Sequence, residues 1–227
     1  MKTIKTTFSR DIWDKSQNAA REVLAGRLRS QQEPQKGRFM QSDVSRILDR
    51  ARCNIYDLMP LIPKQKSREN FRVIFLSITH LSIYRTLLNE GTEKDYATNL
   101  IGDIVWKTVS GSWRFMILKF IIRLITSNPH KQLGMQLRLL GRFVYTPPGY
   151  KHELSSDSNA YYWNFYRCPP LDFYSTQGEE ALEMFRRTWC VVDFASAELM
   201  LRGVKYERPH TLSAGDNVCD MRWHVVR

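Results

Sequence analysis

The sequence predicts an α+β fold in which a helical body precedes a small antiparallel sheet near the C-terminus. Apolar residues recur with a helical period over most of residues 10–143. A Pro-Pro-Gly turn at residues 147–149 and a Ser/Asp/Asn loop at residues 155–159 then mark a change in composition. Beyond them, residues 218–226 alternate in the manner of a half-buried strand. Helices followed by strands are typical of the α+β class.

Six helices are predicted in the first two-thirds of the chain. Ser42 is the expected N-cap of the second helix, and Pro60 ends that helix because proline lacks the N–H that continues the ladder. Gly91 is the expected C-terminal cap of the third helix. Thr92 with Asp95 resembles a capping box at the start of the fourth. The predicted helices span residues 10–29, 42–58, 67–90, 92–111, 113–126 and 130–143, with a polar loop at residues 30–37.

The last third of the chain is predicted to mix strands with short helices. Residues 161–167 are rich in aromatic side chains and indicate a strand, and residues 204–208 indicate another. Between these two strands, residues 169–187 contain one helix or two short ones. In the strand at residues 218–226, Cys219 and Trp223 are expected on one face, with Asp220 and Arg222 on the other.

The charge distribution limits the classes of partner. The chain has 34 Lys and Arg against 23 Asp and Glu, a net charge of +11. Residues 1–60 carry 12 basic and 7 acidic side chains, residues 61–150 carry 13 and 5, and residues 151–227 carry 9 and 11. The basic residues are dispersed over several helices and form no recognisable nucleic-acid-binding module, so no nucleic-acid partner is expected.

Targeting signals and cysteine content favour a cytoplasmic protein. Residues 1–10 lack the apolar segment of a secretory signal, and four cysteines in 227 residues do not suggest a disulfide scaffold. The longest apolar run, residues 115–125, is interrupted by Lys119 and Arg123 and is too short to span a bilayer, so no integral membrane span is expected. Its apolar character favours a buried core or oligomer helix over docking on a membrane surface.

Three motifs in the last third carry residues suited to chemistry, although glycine-rich phosphate loops, nucleophile elbows and H-E-x-x-H or C-x-x-C motifs are absent from the sequence. The first motif is Cys168-Pro169, and the second is Cys190-x-x-Asp193. The third is the segment of residues 208–222, which reads Arg-Pro-His-Thr-Leu-Ser-Ala-Gly-Asp-Asn-Val-Cys-Asp-Met-Arg.

Together these motifs resemble the L-2-amino-thiazoline-4-carboxylic acid hydrolase family. The similarity covers roughly residues 65–226, with Met221 where the family usually has an aromatic residue. It divides the chain into an N-terminal helical arm, residues 1–64, and a hydrolase-like α+β domain, residues 65–227. The resemblance implies hydrolysis of a cyclic amidine-type C–N bond in a small carboxylated heterocycle, in a small-molecule or biosynthetic pathway.

The residue types present fit the needs of that reaction. A thiolate is one candidate nucleophile, and a carboxylate that deprotonates a water is the other. His210 is the candidate proton carrier, Arg208 and Arg222 are candidates to bind the substrate carboxylate, and Trp163 is a candidate wall of the pocket. The candidate nucleophiles and bases are Cys168, Cys190, Cys219, Asp193, Asp216 and Asp220.

Each of these residues also has a purely structural interpretation. Cys219 shares a strand face with Met221 and Trp223, which is equally typical of a core thiol. Asp216 follows Gly215 and can simply stabilise a turn before the strand. Asp220 and Arg222 can form a charge pair on the sheet surface.

Two other site chemistries remain open at this point. Cysteines with Asp or His are zinc ligands, but the separations of 22 and 29 residues between Cys168, Cys190 and Cys219 are not a zinc signature, so no cofactor is predicted. A non-catalytic small-molecule-binding module would use the same pocket, with or without a Cys-ligated zinc. The expected partner is a small-molecule substrate, and the N-terminal helices are candidates for homo-oligomer contacts.

Overall fold

The computed structural model describes residues 2–26, 39–62, 67–110, 113–200 and 204–225. Within them, six helices precede the first strand and three shorter helices lie between strands, which confirms the predicted α+β class. The helices are α1 (Lys2–Leu24), α2 (Gln41–Leu58), α3 (Arg68–Asn89), α4 (Lys94–Ser110), α5 (Trp113–Ile125), α6 (Pro129–Phe143), α7 (Pro169–Tyr174), α8 (Glu179–Thr188) and α9 (Val192–Met200). The strands are β1 (Lys151–Ser156), β2 (Ala160–Arg167), β3 (Val204–Glu207) and β4 (Cys219–Val225).

Several boundaries differ from the predicted ones. Helix α1 begins at Lys2 rather than at residue 10. Of the two alternatives for residues 169–187, the structure has the two short helices α7 and α8. Strand β1 and helix α9 were not predicted. Residues 27–29 of the first predicted helix, the loop at residues 30–37 and the end of the fourth helix at residue 111 lie outside the described residues.

Two predicted helix caps are wrong. The N-cap of α2 is Met40, whose backbone N–H donates to the Asp43 carboxylate at 3.3 Å, and Ser42 lies inside the helix. At the start of α4 the Glu93 carboxylate accepts hydrogen bonds from the backbone N–H groups of Asp95 and Tyr96. A carboxylate reaches these orphan donors better than the shorter Thr92 hydroxyl and carries the charge that a helix N-terminus favours.

The chain divides into two compact units. The first comprises Met1–Lys64, Phe71–Gly111 and Glu183–Trp189, and the second comprises Gln65–Asn70, Ser112–Leu182 and Cys190–Arg227. The predicted arm, residues 1–64, therefore falls in the first unit together with most of α3 and α4.

Helix α3 forms the centre of the first unit. Ile78, Leu81 and Leu87 are completely buried, and α2 contributes Ile47 and Leu48 to the same core. Among the described residues α3 is the one helix long and apolar enough to cross a membrane by length and composition. Two-thirds of its apolar window (67%) is buried inside the structure, which is typical of a core helix.

The second unit contains a four-stranded antiparallel sheet with the order β1-β2-β4-β3. Strand β4 occupies a central position, where Trp163 of β2 pairs with Met221 and Tyr206 of β3 pairs with Trp223. Cys219, Met221 and Trp223 are buried on one face, as the alternation predicted. This face carries the aromatic core of the unit, in which Trp163 contacts Trp223 with ring centroids 6.2 Å apart.

Helix α5 is not a buried core helix, one of the two roles that its composition favoured. Ile122 is buried, but Ile117, Phe120 and Leu124 are largely exposed. The reason is geometric: the 13-residue helix has apolar residues around its whole circumference, and one side of a helix suffices for packing against the protein.

Candidate functional site

The three predicted motifs supply neighbouring side chains in the second unit. Cys168 lies between β2 and α7, Cys190 lies in the turn before α9, and Asp193 is the second residue of α9. Cys219 opens β4 and pairs with Phe165 of β2. Charges on Cys190, Cys219 and Asp193 all influence the pKa of Cys168, which places these four groups close together.

Asp193 and Arg208 form an ion pair at the centre of this group. The Arg208 Nη1 group donates to Asp193 Oδ2 at 2.7 Å, and Arg208 Cζ lies 5.2 Å from the centroid of the Phe194 ring. Only 7% of the Arg208 side chain is exposed, whereas 26% of the Asp193 side chain is exposed. The Asp193 side chain is therefore the more accessible partner of this ion pair, and the Arg208 side chain is enclosed.

Burial raises the pKa of Asp193 to about 6, although the adjacent Arg208 opposes the shift. Removing the carboxylate from water disfavours its charged form, and here this cost exceeds the attraction of the guanidinium. A carboxyl group with such a pKa is mostly ionised at pH 7 and can still take up a proton during a reaction. This is the property expected of a general base.

Burial also raises the pKa values of two thiols, and this makes them less reactive. It raises the pKa of Cys168 well above its usual value, with the Leu171 backbone N–H opposing the shift. It raises the pKa of Cys190 to about 12, although the Ser213 hydroxyl, 3.3 Å from the sulfur, lowers it in part. Both thiols are therefore neutral at pH 7 and lack the thiolate that makes cysteine a strong nucleophile.

The third thiol is held by the loop that precedes β4. The Leu212 backbone N–H donates to Cys219 Sγ at 3.2 Å, and the Thr211 hydroxyl lies 3.3 Å from the same sulfur. These contacts and its position on the buried face of β4 are what a structural thiol requires.

Two tyrosines outside the predicted set, Tyr206 and Tyr145, also lie near Asp193. The Tyr206 hydroxyl is buried and makes no hydrogen bond with the described residues. Burial and the negative charge of Asp193 raise its pKa, so the hydroxyl is close to that carboxylate and remains protonated. Burial and Asp193 likewise raise the pKa of Tyr145, and Cys168 adds to this shift. The pairing of the predicted strand at residues 204–208 with β4 is the signal that could have pointed to Tyr206.

Trp163 forms part of the packed wall rather than an open surface. Its side chain is 1% exposed and stacks edge-on with Tyr145 at 5.3 Å. Its indole Nε1 makes no hydrogen bond with a described residue.

Three further predicted residues, His210, Asp220 and Arg222, form a second group at the other face of the sheet. Asp220 Oδ2 contacts His210 Nδ1 at 3.0 Å and accepts from Arg222 Nη2 at 2.9 Å, and Asp220 Oδ1 accepts from the His210 backbone N–H at 2.7 Å. Because Asp220 follows Cys219 on a strand, its side chain points away from the thiols. The structure therefore does not bring His210 and Arg222 to the Asp193 group.

Electrostatics within this second group follow from the hydrogen bonds. The hydrogen bond to Asp220 raises the pKa of His210. Burial opposes ionisation of Asp220, yet the hydrogen bonds from His210 and the charge of Arg222 bring its pKa below the usual value. His210, Asp220 and Arg222 therefore form a charge cluster on this face of the sheet. This cluster contains the Asp220–Arg222 charge pair that a purely structural interpretation expects.

Asp216 stabilises the turn before β4. Its Oδ2 accepts from the Thr211 backbone N–H at 2.8 Å, and the preceding Gly215 has a φ of 100°, in the left-handed region that favours glycine. In the described part of the chain, no three His, Cys, Asp or Glu side chains are placed to hold one metal ion.

A comparison with known protein families supports the predicted resemblance over part of the chain. Residues 135–223 match the family described as L-2-amino-thiazoline-4-carboxylic acid hydrolase, which confirms the predicted resemblance over the C-terminal part of the chain. The matched segment includes both groups of candidate residues described above. No curated protein matches the chain, and no solved structure does.

Proposed function

We propose that this chain, whose C-terminal part matches a thiazoline carboxylic acid hydrolase family, hydrolyses a C–N bond in a small carboxylated heterocycle of the cyclic amidine type. One observation carries the proposal: the matched segment pairs the partly exposed Asp193 side chain with the enclosed Arg208 side chain, and burial raises the pKa of Asp193 to about 6. A base of this kind suits hydrolysis near neutral pH.

In the proposed reaction Asp193 activates a water molecule. The ring carbon between nitrogen and sulfur is the electrophile; the water oxygen bonds to it while Asp193 takes up the water proton. The π electron pair of the C=N bond moves to the ring nitrogen, which takes the proton from Asp193, and a tetrahedral carbon with a hydroxyl group results. Asp193 then takes the hydroxyl proton as the C=O bond forms, and the remaining C–N bond breaks with its electron pair on the ring nitrogen. That second proton passes from Asp193 to the nitrogen. Water is consumed, and Asp193 returns to its ionised form.

Arg208 and Tyr206 are proposed to bind the substrate. Arg208 uses Nη1 for Asp193, and a guanidinium has five N–H donors in all, enough to hold a substrate carboxylate as well. The Tyr206 hydroxyl is a buried donor without a described partner, and a substrate heteroatom would satisfy it. The Tyr206 ring, 5.0 Å from that of Phe194, supplies an apolar wall.

Water is a better nucleophile in this site than a cysteine is. With a pKa of about 12, roughly one Cys190 thiol in 100,000 is ionised at pH 7. We therefore assign the thiols to packing around the base, and we assign the returning proton to Asp193 rather than to His210. A cytoplasmic location is part of this proposal, since Cys168, Cys190 and Cys219 are all free thiols.

The test is turnover of 2-amino-thiazoline-4-carboxylate by the purified full chain, followed by chromatography of the ring-opened product. We expect D193N to lower kcat at least about 100-fold, the usual contribution of a general base. D172N is the matched control, because Asp172 belongs to the same unit and forms an exposed ion pair with Arg167. C190S is expected to keep activity within a few-fold of the unaltered protein.

The possible results separate the proposals. Loss of activity in C190S with D193N active would replace Asp193 by a thiol nucleophile. Saturable binding of the heterocycle without turnover by the unaltered chain would favour a small-molecule-binding module, for which the enclosed neutral thiols of Cys168 and Cys190 are equally suitable. Stoichiometric zinc in the active preparation would require a metal-based mechanism.

A further inference from the structure

Helix α5 exposes a continuous apolar stripe to solvent. Its five members are between 46% and 73% exposed. They follow one another at i, i+3, i+4, i+7 and i+8, so they share one face of the helix. The stripe consists of Ile117, Phe120, Ile121, Leu124 and Ile125.

Scattered apolar side chains are normal on a protein surface, but an ordered stripe is a feature of interaction sites. The same helix anchors itself through Ile122, which is 1% exposed. The stripe is therefore left over after α5 has packed against its own unit. Phe143 at the end of α6 is exposed as well.

The charge of the α5–α6 hairpin has a single sign. Residues 113–143 contain six Lys and Arg and no Asp or Glu. Arg123, Lys131, Arg138 and Arg142 are exposed. An apolar stripe flanked by basic residues is the pattern of helices that lie in the interface of an anionic membrane.

We propose that the α5 stripe docks on the surface of an anionic lipid bilayer. A 13-residue helix is about 20 Å long, shorter than the roughly 30 Å hydrocarbon core, so α5 lies in the interface plane and does not span it. The stripe enters the boundary between head groups and acyl chains, while Arg123 and Arg142 contact lipid phosphates.

The basic charge argues against a second copy of the chain as the occupant. In a symmetric dimer through this face, the same patch would meet itself, bringing two hairpins of six positive charges together. The part of the chain between α1 and α2 that the structure does not describe, residues 27–38, contains Leu28 as its single large apolar residue. Its composition does not suit it to cover five large apolar side chains.

The test is flotation of the full chain with vesicles of neutral phosphatidylcholine and with vesicles that also contain 30% phosphatidylglycerol. We expect binding to the anionic vesicles that weakens with added salt, and much weaker binding to the neutral ones. F120S/L124S removes two exposed apolar side chains and is expected to abolish binding. Y56S/L61S is the matched control, because Tyr56 (68%) and Leu61 (53%) are comparably exposed in the first unit.

A second double variant tests how much the basic residues contribute to vesicle binding. R123A/R142A is expected to weaken binding about 25-fold, or about fivefold for each basic residue removed from the surface. R10A/R52A removes two exposed arginines from the first unit and is expected to leave binding unchanged. Equal flotation of the two vesicle types, or none with either, would overturn the proposal. A dimer that F120S/L124S converts to a monomer, without lipid binding, would instead assign the stripe to a second copy.

Discussion

The replacement D193N tests the most consequential electrostatic property of the site. Burial raises the pKa of Asp193 from 3.8 to about 6 in the folded protein. The folded chain therefore binds this proton more tightly than the unfolded chain does. The stability that protonation contributes is fully present below pH 3.8, and it is lost as the pH rises through 6.

The size of the effect follows from the two pKa values. A shift of about 2 units corresponds to about 3 kcal/mol in total, at 1.36 kcal/mol per unit. About 1.4 kcal/mol of this appears between pH 7 and pH 5. The asparagine side chain has the shape of the protonated acid and cannot ionise, so D193N lacks this dependence. We expect D193N to be more stable than the unaltered protein at pH 7, and its advantage to shrink by about 1.4 kcal/mol at pH 5.

Urea unfolding of both proteins at the two pH values, followed by circular dichroism, measures this difference. Other titrating groups affect both proteins alike and cancel in the subtraction. An advantage that stays constant between pH 7 and pH 5 would refute a raised pKa. An advantage that grows at pH 5 would mean that Arg208 holds the carboxyl pKa low, and that Asp193 is half of a structural ion pair.

Three further predictions concern other groups. In native protein near pH 7, a maleimide should react first at the exposed Cys53 and at least about 30-fold more slowly than a free thiol at Cys190, as mass spectrometry would detect. Burial lowers the pKa of His80 to about 3, so between pH 7.5 and pH 5 the unaltered protein should lose about 2 kcal/mol of unfolding free energy through this group. H80L should not show this loss, as urea unfolding at the two pH values would measure. H210A should lower Tm more at pH 6 than at pH 9, since its raised pKa contributes stability that is lost at high pH, and should leave kcat within a few-fold.

The parts of the fold with strong periodicity were predictable from the sequence. Helices α2 to α4 and strand β4 bury several regularly spaced apolar residues, and helices α5 and α6 have apolar residues at helical spacing as well. The existence and order of these elements are confirmed. Strand β1 was missed because it is an edge strand whose residues Lys151–Ser156 are mostly exposed, so pairing with β2 rather than burial defines it. Helix α9 was missed because Val191 and Val192 are β-branched, and a nine-residue helix offers too few turns to reveal its period.

The candidate site was predictable in composition but not in grouping. The sequence marked Cys168, Cys190, Asp193, Arg208 and Cys219, which the structure places together, and the strand alternation already separated Cys219 from Asp220. His210 was grouped with these residues because it is near them in the sequence, and its role in the reaction stays a prediction. His210 lies in a loop, and its hydrogen bond with Asp220 holds it at the face of the sheet opposite the thiols.

One physical cause assigns different roles to the acid and the thiols. Loss of water raises the pKa values of Asp193, Cys168 and Cys190, because each of these groups must become negative to ionise. For Asp193, which starts near 4, the shift ends near neutrality and suits the general base that we propose. For Cys190, which starts near 9, a similar shift ends about five units above neutrality and removes the thiolate. Depressing the thiol pKa would require a second cation, and the described part of the cluster offers Arg208, which is already paired with Asp193. A charge pair beside a buried thiol is thus better suited to activating water than sulfur.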